Sequence, residues 1–195
     1  MSGPASPRLA AVLALAAALG GCDLFATREP EVEGSQESLW TPPTSPEIVV
    51  TNLELAFEIG NINDYQRALT ADFVFRADAS DVAQLEIDRP GEMVFDGWDR
   101  DVEVSTVTVI RGSADSVAVS LVQFDDDLGE TVRLLKYDYV VRIFGGGAES
   151  AFEGEAWFQV AQQGNGEWLI QDWEDVAIPS EVSWGILKGR NSGGS

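Results

Sequence analysis

Histidine is absent from the 195-residue chain, which removes the commonest general base and the commonest metal ligand from its chemistry. Cysteine occurs once, at Cys22, so neither an intrachain disulfide nor a cysteine-rich zinc site exists. Basic residues are scarce: Lys and Arg number 12 against 33 Asp and Glu, for a formal net charge of −21. A surface this negative repels nucleic-acid phosphates and anionic lipid headgroups, so no nucleic-acid partner is expected. The apolar run at residues 9–19 is about half the length that a membrane-spanning helix needs. What is present is ordinary for a folded domain. Apolar residues make up 45% and charged residues 23%, enough to pack one core with some chain left over at the ends.

The first 22 residues, MSGPASPRLAAVLALAAALGGC, read as an address. Arg8 gives a positive start, and residues 9–19 suit the apolar region of a signal peptide. Leu19-Gly20-Gly21-Cys22 then resembles the bacterial lipobox. That resemblance implies a signal peptide over residues 1–21, cleavage before Cys22, and lipidation of Cys22 with acyl chains such as palmitate. Each buried CH₂ of such chains contributes roughly 0.8 kcal/mol of anchoring. The expected location is the bacterial cell envelope, facing the periplasm or the exterior. Asp23 follows the cysteine, but the choice between inner and outer membrane stays open. Residues 22–44 are rich in Glu, Ser, Gly, Thr and Pro and predict a disordered tether that spans roughly 25 Å as a flexible coil. Trp40 lies inside it, either packed back on the domain or exposed.

The predicted domain covers residues 45–187. Ser45 and Pro46 start a helix with an apolar face at Val49, Leu53, Ala56 and Phe57. Gly60 and Asn61 end it, a short second helix carries Tyr65, Ala68 and Leu69, and Phe73 and Phe75 alternate as in a strand. Residues 78–100 are hard to read beyond a helical turn near Leu85, a Pro90-Gly91 turn and another turn starting near Asp96. VEVSTVTVIRG at residues 102–112 is β-branched and predicts a strand. Strands follow around Val117–Val122, over residues 131–144 and 149–162, and over 167–176, joined by turns at 124–130, 145–147 and 164–166. Trp184 and Leu187 are expected to pack on the surface, ahead of a disordered tail at 188–195. Helices first and hairpins afterwards predict an α+β domain, with N-terminal helices covering one face of an antiparallel sheet.

The order and spacing of these elements resemble the NTF2-like superfamily, shared with SnoaL-like and ketosteroid-isomerase-like proteins. Asp64, Leu69, Asp72, Phe73 and Phe75 in the opening stretch, and EWLIQDWEDV at the end, carry the resemblance. It covers residues 45–176 and implies N-terminal helices packed on a strongly curved antiparallel sheet, the NTF2-like cone. In particular the chain is similar to uncharacterised bacterial lipoproteins, for which no activity is implied. The resemblance also implies that the open sheet face can dimerise. The fold hosts unrelated functions, so it does not assign one.

Several residues are candidates for a site, each with a plainer reading beside it. Asp138, between Tyr137 and Tyr139, would be a general base if it faced the cone interior; alternation instead makes it a cross-strand charge partner. Asp172 shares parity with Trp168 and Ile170 and would point inward near the cone mouth, unless it is a frayed end or an ion pair. Tyr137, Tyr139, Phe152, Phe158 and Trp168 share the apolar face and either line a ligand pocket or fill a core. Asp125, Asp126, Asp127 and Glu130 lack EF-hand spacing and read as a solvated loop, so no metal is assigned. No cofactor motif is present; Gly145, Gly146 and Gly147 form a turn. Trp157, between acids on the opposite face, marks a surface for a second copy or another envelope protein. The leading expectation is a lipid-anchored, non-catalytic binding domain. The alternative is a small-molecule isomerase, dehydratase or hydrolase built on an inward carboxylate and a tyrosine.

Overall fold

The computed structural model of the protein describes residues 38–127 and 129–193. The predicted signal peptide, Cys22 and the first part of the tether lie outside these residues.

Pro46 opens the first helix, α1 (Pro46–Ile59), and Gly60 closes it in the left-handed conformation at φ 77°. Val49, Leu53, Ala56 and Phe57 form its buried face together with Val50. Asn61 caps α2 (Ile62–Arg67) by accepting the Asp64 N–H at 3.1 Å. β1 (Leu69–Arg76) follows at once and turns Phe73 and Phe75 into the core.

The domain begins earlier than residue 45, which corrects the predicted end of the tether. Asn52 of α1 clasps the backbone of Thr41, donating to its carbonyl at 2.7 Å and accepting its N–H at 3.1 Å. The Trp168 N–H donates to the Pro43 carbonyl at 2.8 Å. Trp40 is half-buried, with the Arg67 guanidinium 4.3 Å above its ring. A buried asparagine must satisfy both ends of its amide, and this strap of chain does so.

α3 (Ala79–Asp88) is capped by Asp78 and extends past Leu85. Residues 102–112, predicted as a strand, form a helix instead: α4 (Arg100–Ser113). Asp99 caps it by accepting the Asp101 and Val102 N–H groups at 2.9 and 3.0 Å. The buried positions are Glu103, Thr106, Val107 and Ile110, a helical spacing that leaves Val109 exposed. β-Branched residues lose only some tenths of a kcal/mol each in a helix, and tertiary burial overrides that.

The remaining strands are β2 (Ser116–Asp127), β3 (Val132–Gly145), β4 (Ala148–Gln162) and β5 (Trp168–Ala177). The sheet order is β1-β5-β4-β3-β2. β2 to β5 run antiparallel, as expected, and β1 lies parallel to β5. The long connection through α3 and α4 frees β1 from the hairpin rule. Gly146 and Gly147, at φ 58° and 79°, make the two-residue turn between β3 and β4. Bulges interrupt the antiparallel ladders at Phe124 in β2 and at Gln171 in β5, where one residue has no partner, and the β1–β5 register also shifts between Leu69 and Val74.

The chain ends in α5 (Trp184–Asn191), capped by the Ser183 side chain. The predicted surface segment and tail are therefore wrong. Trp184 is 1% exposed and Lys188 is fully buried, because α5 packs into the core against α3, α4, β4 and β5. α1 to α5 together cover the inner sheet face, matching the expected α+β architecture.

Candidate functional site

The inner sheet face presents Tyr137 and Tyr139 of β3, Phe152 and Phe158 of β4 and Trp168 of neighbouring β5. All but Phe152 are buried, and Phe152 is half-buried against the core. These rings do not outline an open pocket. Phe158 packs 4.9 Å from Trp173, Tyr137 packs 5.9 Å from Phe158, and Tyr139 packs 5.5 Å from Trp184 of α5. Gly154, opposite Tyr139 across the ladder, leaves room for that ring. Burial, then the nearby Glu47 and Glu54 charges, push the Tyr137 hydroxyl up to about 12.

Asp172 does not point inward. The bulge at Gln171 reverses side-chain parity, so Trp168 and Ile170 face the core while Asp172 faces out and pairs with Arg76 at 2.6 Å. Burial raises its pKa, and the Arg76 charge opposes that. Past the bulge, Trp173 and Asp175 become the inward residues, both 0% exposed. The spacing Trp168, Ile170, Trp173 was the available signal: a step of three in place of two. Asp138 is exposed on the outer face, directly opposite Glu155 and Val122 rather than a cation. Asp125 and Asp126 pair with Lys136 and Arg133 at 2.9 and 2.5 Å.

The interior acids are ones the linear pattern did not single out. Asp175 Oδ2 accepts the Gly185 N–H of α5 at 2.7 Å. The Tyr139 hydroxyl accepts the adjoining Trp184 N–H at 2.7 Å and neighbours the Asp175 carboxyl, whose Oδ1 makes no regular hydrogen bond. Burial pushes Asp175 up to about 7, against the pull of Gly185, Tyr139 and Lys188. The same burial and the Asp175 charge raise Tyr139. Asp81 of α3 accepts from the Ser183 hydroxyl at 2.5 Å, and burial raises its pKa. A Cβ on Gly185 would lie 2.6 Å from Asp81 Oδ2 and 2.9 Å from Asp175 Oδ2, so only glycine lets the helix start seat on both carboxyls.

One turn further along α5, Lys188 Nζ sits 2.8 Å from Glu103 Oε1, 3.3 Å over the Trp173 ring and 3.8 Å over Phe75. Glu103 also accepts from the Tyr65 hydroxyl at 2.6 Å and Trp98 Nε1 at 2.8 Å. Desolvation lowers Lys188 to about 8, although the Glu103 charge supports its proton. A carboxyl near 7 beside a tyrosine hydroxyl has the makings of a proton-transfer pair. Here both groups are sealed, with Tyr139 only 2% exposed, and α5 backbone N–H groups already occupy Asp175 Oδ2 and the Tyr139 oxygen. The open recesses lie elsewhere, including a groove of about 340 Å³ between α3 and residues 92–96.

No protein-family model and no curated protein matches the chain. Solved structures do. A conserved protein from Planctomyces limnophilus is 14% identical, covering 68% of this chain and 93% of its own, with a TM-score of 0.56. A protein proposed to be a scytalone dehydratase, from Novosphingobium aromaticivorans, is 12% identical over 71% of this chain and 90% of its own, with a TM-score of 0.53. An NTF2-like protein with a cystatin-like fold, also from Novosphingobium aromaticivorans, is 10% identical over 68% and 79%, with a TM-score of 0.51. Identities this low speak to architecture alone, and by that architecture the chain has the NTF2-like fold.

Proposed function

We propose that this chain is a lipid-anchored envelope protein whose NTF2-like domain binds a protein partner through the open sheet face and does not catalyse. The observation that carries this reading is the occupied interior: α5 fills the space under the sheet with Trp184 and Lys188 and caps the inward acid Asp175. What remains available is the outer face. There Trp157 is half-buried between Lys136, 4.7 Å from its ring, and Glu155, which accepts its Nε1–H at 2.9 Å. Glu153, Glu155, Asp138 and Glu174 surround it. Two copies meeting face to face would oppose these charges, so a partner with a basic surface fits better than self-association. The anchor rests on the lipobox-like Leu19-Gly20-Gly21-Cys22.

A photo-crosslinking residue placed at Trp157 in cells tests the face. A discrete adduct from that position, absent from the same substitution at exposed Val109 of α4, supports the reading, and its mass separates a second copy from another protein. No adduct at Trp157 sinks it. Cys22→Ala should move the protein out of the membrane fraction.

Asp175 beside Tyr139 favours a second reading: an isomerase, dehydratase or hydrolase that acts when α5 moves aside. It predicts that Asp175→Asn abolishes cellular function while Trp157→Lys leaves it intact.

A further inference from the structure

A second surface, remote from the open sheet face, has the chemistry of a binding groove. It lies between α3 and residues 92–96 and encloses about 340 Å³, within the range of ligand clefts. Leu85 and Phe95 form its floor, and Val82 and Met93 its walls. Beyond Met93 lies another recess of about 280 Å³, lined by Val94, Val102 and Gly91 among others. Met93 thus lines both recesses, the second of which it shares with Glu92, Asp96 and Ser192, and it is 75% exposed. Val82 on α3, which lines the first recess with it, is 45% exposed. Apolar side chains this exposed and this close together mark an interaction surface rather than scatter. A flexible thioether at this position suits a surface that repacks around its occupant.

The rim decides the occupant. Glu86, Glu92 and Asp96 line the first hollow, and among the described residues no cation does. Arg89 pairs with Glu92 and donates to the Gly189 carbonyl at 2.7 Å. Glu86 spends one oxygen on the Gly91 N–H at 3.1 Å. Acceptors from Glu86 and Asp96 therefore remain around an apolar floor. We infer that this groove binds a basic amphipathic segment of a partner protein: apolar side chains enter the two hollows across Met93, and Lys or Arg residues meet Glu86 and Asp96. An acidic segment and an anionic bilayer are both repelled by the same rim.

Fluorescence anisotropy with a labelled Leu/Lys amphipathic helical peptide, titrated with the full-length protein, tests this. The expected result is saturable binding that Glu86→Lys/Asp96→Lys weakens at least about tenfold and that Met93→Asp also weakens. A Leu/Glu peptide should not bind. Asp115→Lys/Glu130→Lys, at exposed acids that line neither recess, should leave affinity unchanged. Crosslinking at Trp157 reads the open sheet face by itself, so the two proposals fail separately. Equal weakening by both double variants would show mere attraction to a negative protein and overturns the inference. So does absence of binding, or tighter binding to phosphatidylglycerol vesicles than to the peptide. Unchanged thermal midpoints of the variants establish that they fold.

Discussion

The two faces of the sheet carry the same residue type under opposite conditions. On the outer face Asp138 is exposed and Glu155 half-exposed, and the partly covered Asp172 keeps its charge beside Arg76. On the inner side Asp175, Asp81 and Glu103 lie within the packed helices, and each has neighbours supplied by another element: Gly185, Ser183 and Lys188 from the end of the chain, Tyr65 and Trp98 from its middle. The comparison teaches that burial, not identity, sets what a carboxylate does here. It also shows that α5 is held by polar contacts as much as by its apolar face. Buried acids demand partners, and α5 is where most of those partners reside.

The largest break in that contrast should come from Lys188→Met. It leaves Glu103 buried without its cation, and removing one member of a buried pair costs about 3–5 kcal/mol. Urea unfolding should show that loss, and Glu103→Gln/Lys188→Met should recover most of it. A double variant as unstable as the single one would mean that packing, not charge, holds this point.

The pH response is the next probe. Asp175 ordinarily titrates at 3.8 and is pushed to about 7 in the folded protein. Between these values the folded state keeps a proton that the unfolded state releases, so stability falls as pH rises from about 4 to about 7. At about 1.4 kcal/mol per pH unit the full effect reaches about 4 kcal/mol. Lys188 is lowered from 10.5 to about 8. In that window the unfolded state holds the extra proton, so stability recovers above about pH 8. Denaturation curves across this range should thus show a minimum near neutrality. Asp175→Asn should flatten the lower limb, and by removing a charge that supports the Lys188 proton it should also move the upper limb to lower pH.

Gly185→Ala inserts a methyl against two carboxylates and should cost about 1–3 kcal/mol, the usual scale for overpacking, read as a lowered melting midpoint. At the outer face, Arg76→Ala breaks the pair with Asp172, whose arginine is 55% exposed. Screened by solvent, it should shift stability by less than about 1 kcal/mol. A larger effect there would erase the distinction between the faces.

The strands β3 and β4 were legible because Leu135, Tyr137, Tyr139 and Val141, and then Ala156, Phe158 and Val160, alternate without interruption and one side is buried. α1 was legible from its caps and its apolar stripe. α4 was not, since Val102, Val104, Thr106 and Thr108 mimic a strand and only the Asp99 cap and packing on β1 decide otherwise. α5 hid behind Gly185 and Gly189, each a helix-weakening residue by about 1 kcal/mol. Both glycines exist for close approach, one to Asp81 and Asp175, the other to Leu85 and Phe95.

The sequence by itself determined the opening helix, the hairpins and the faces of uninterrupted strands, because caps, turns and alternation are local. Tertiary structure alone decided which acids went inside. One unpaired residue at Gln171 exchanged Asp172 for Asp175, and the docking of α5 supplied that carboxyl with its partner. The step of three from Ile170 to Trp173 is the one local trace of the bulge, whereas helix docking depends on residues about a hundred positions apart or on opposite sides of the core, and no local pattern records it.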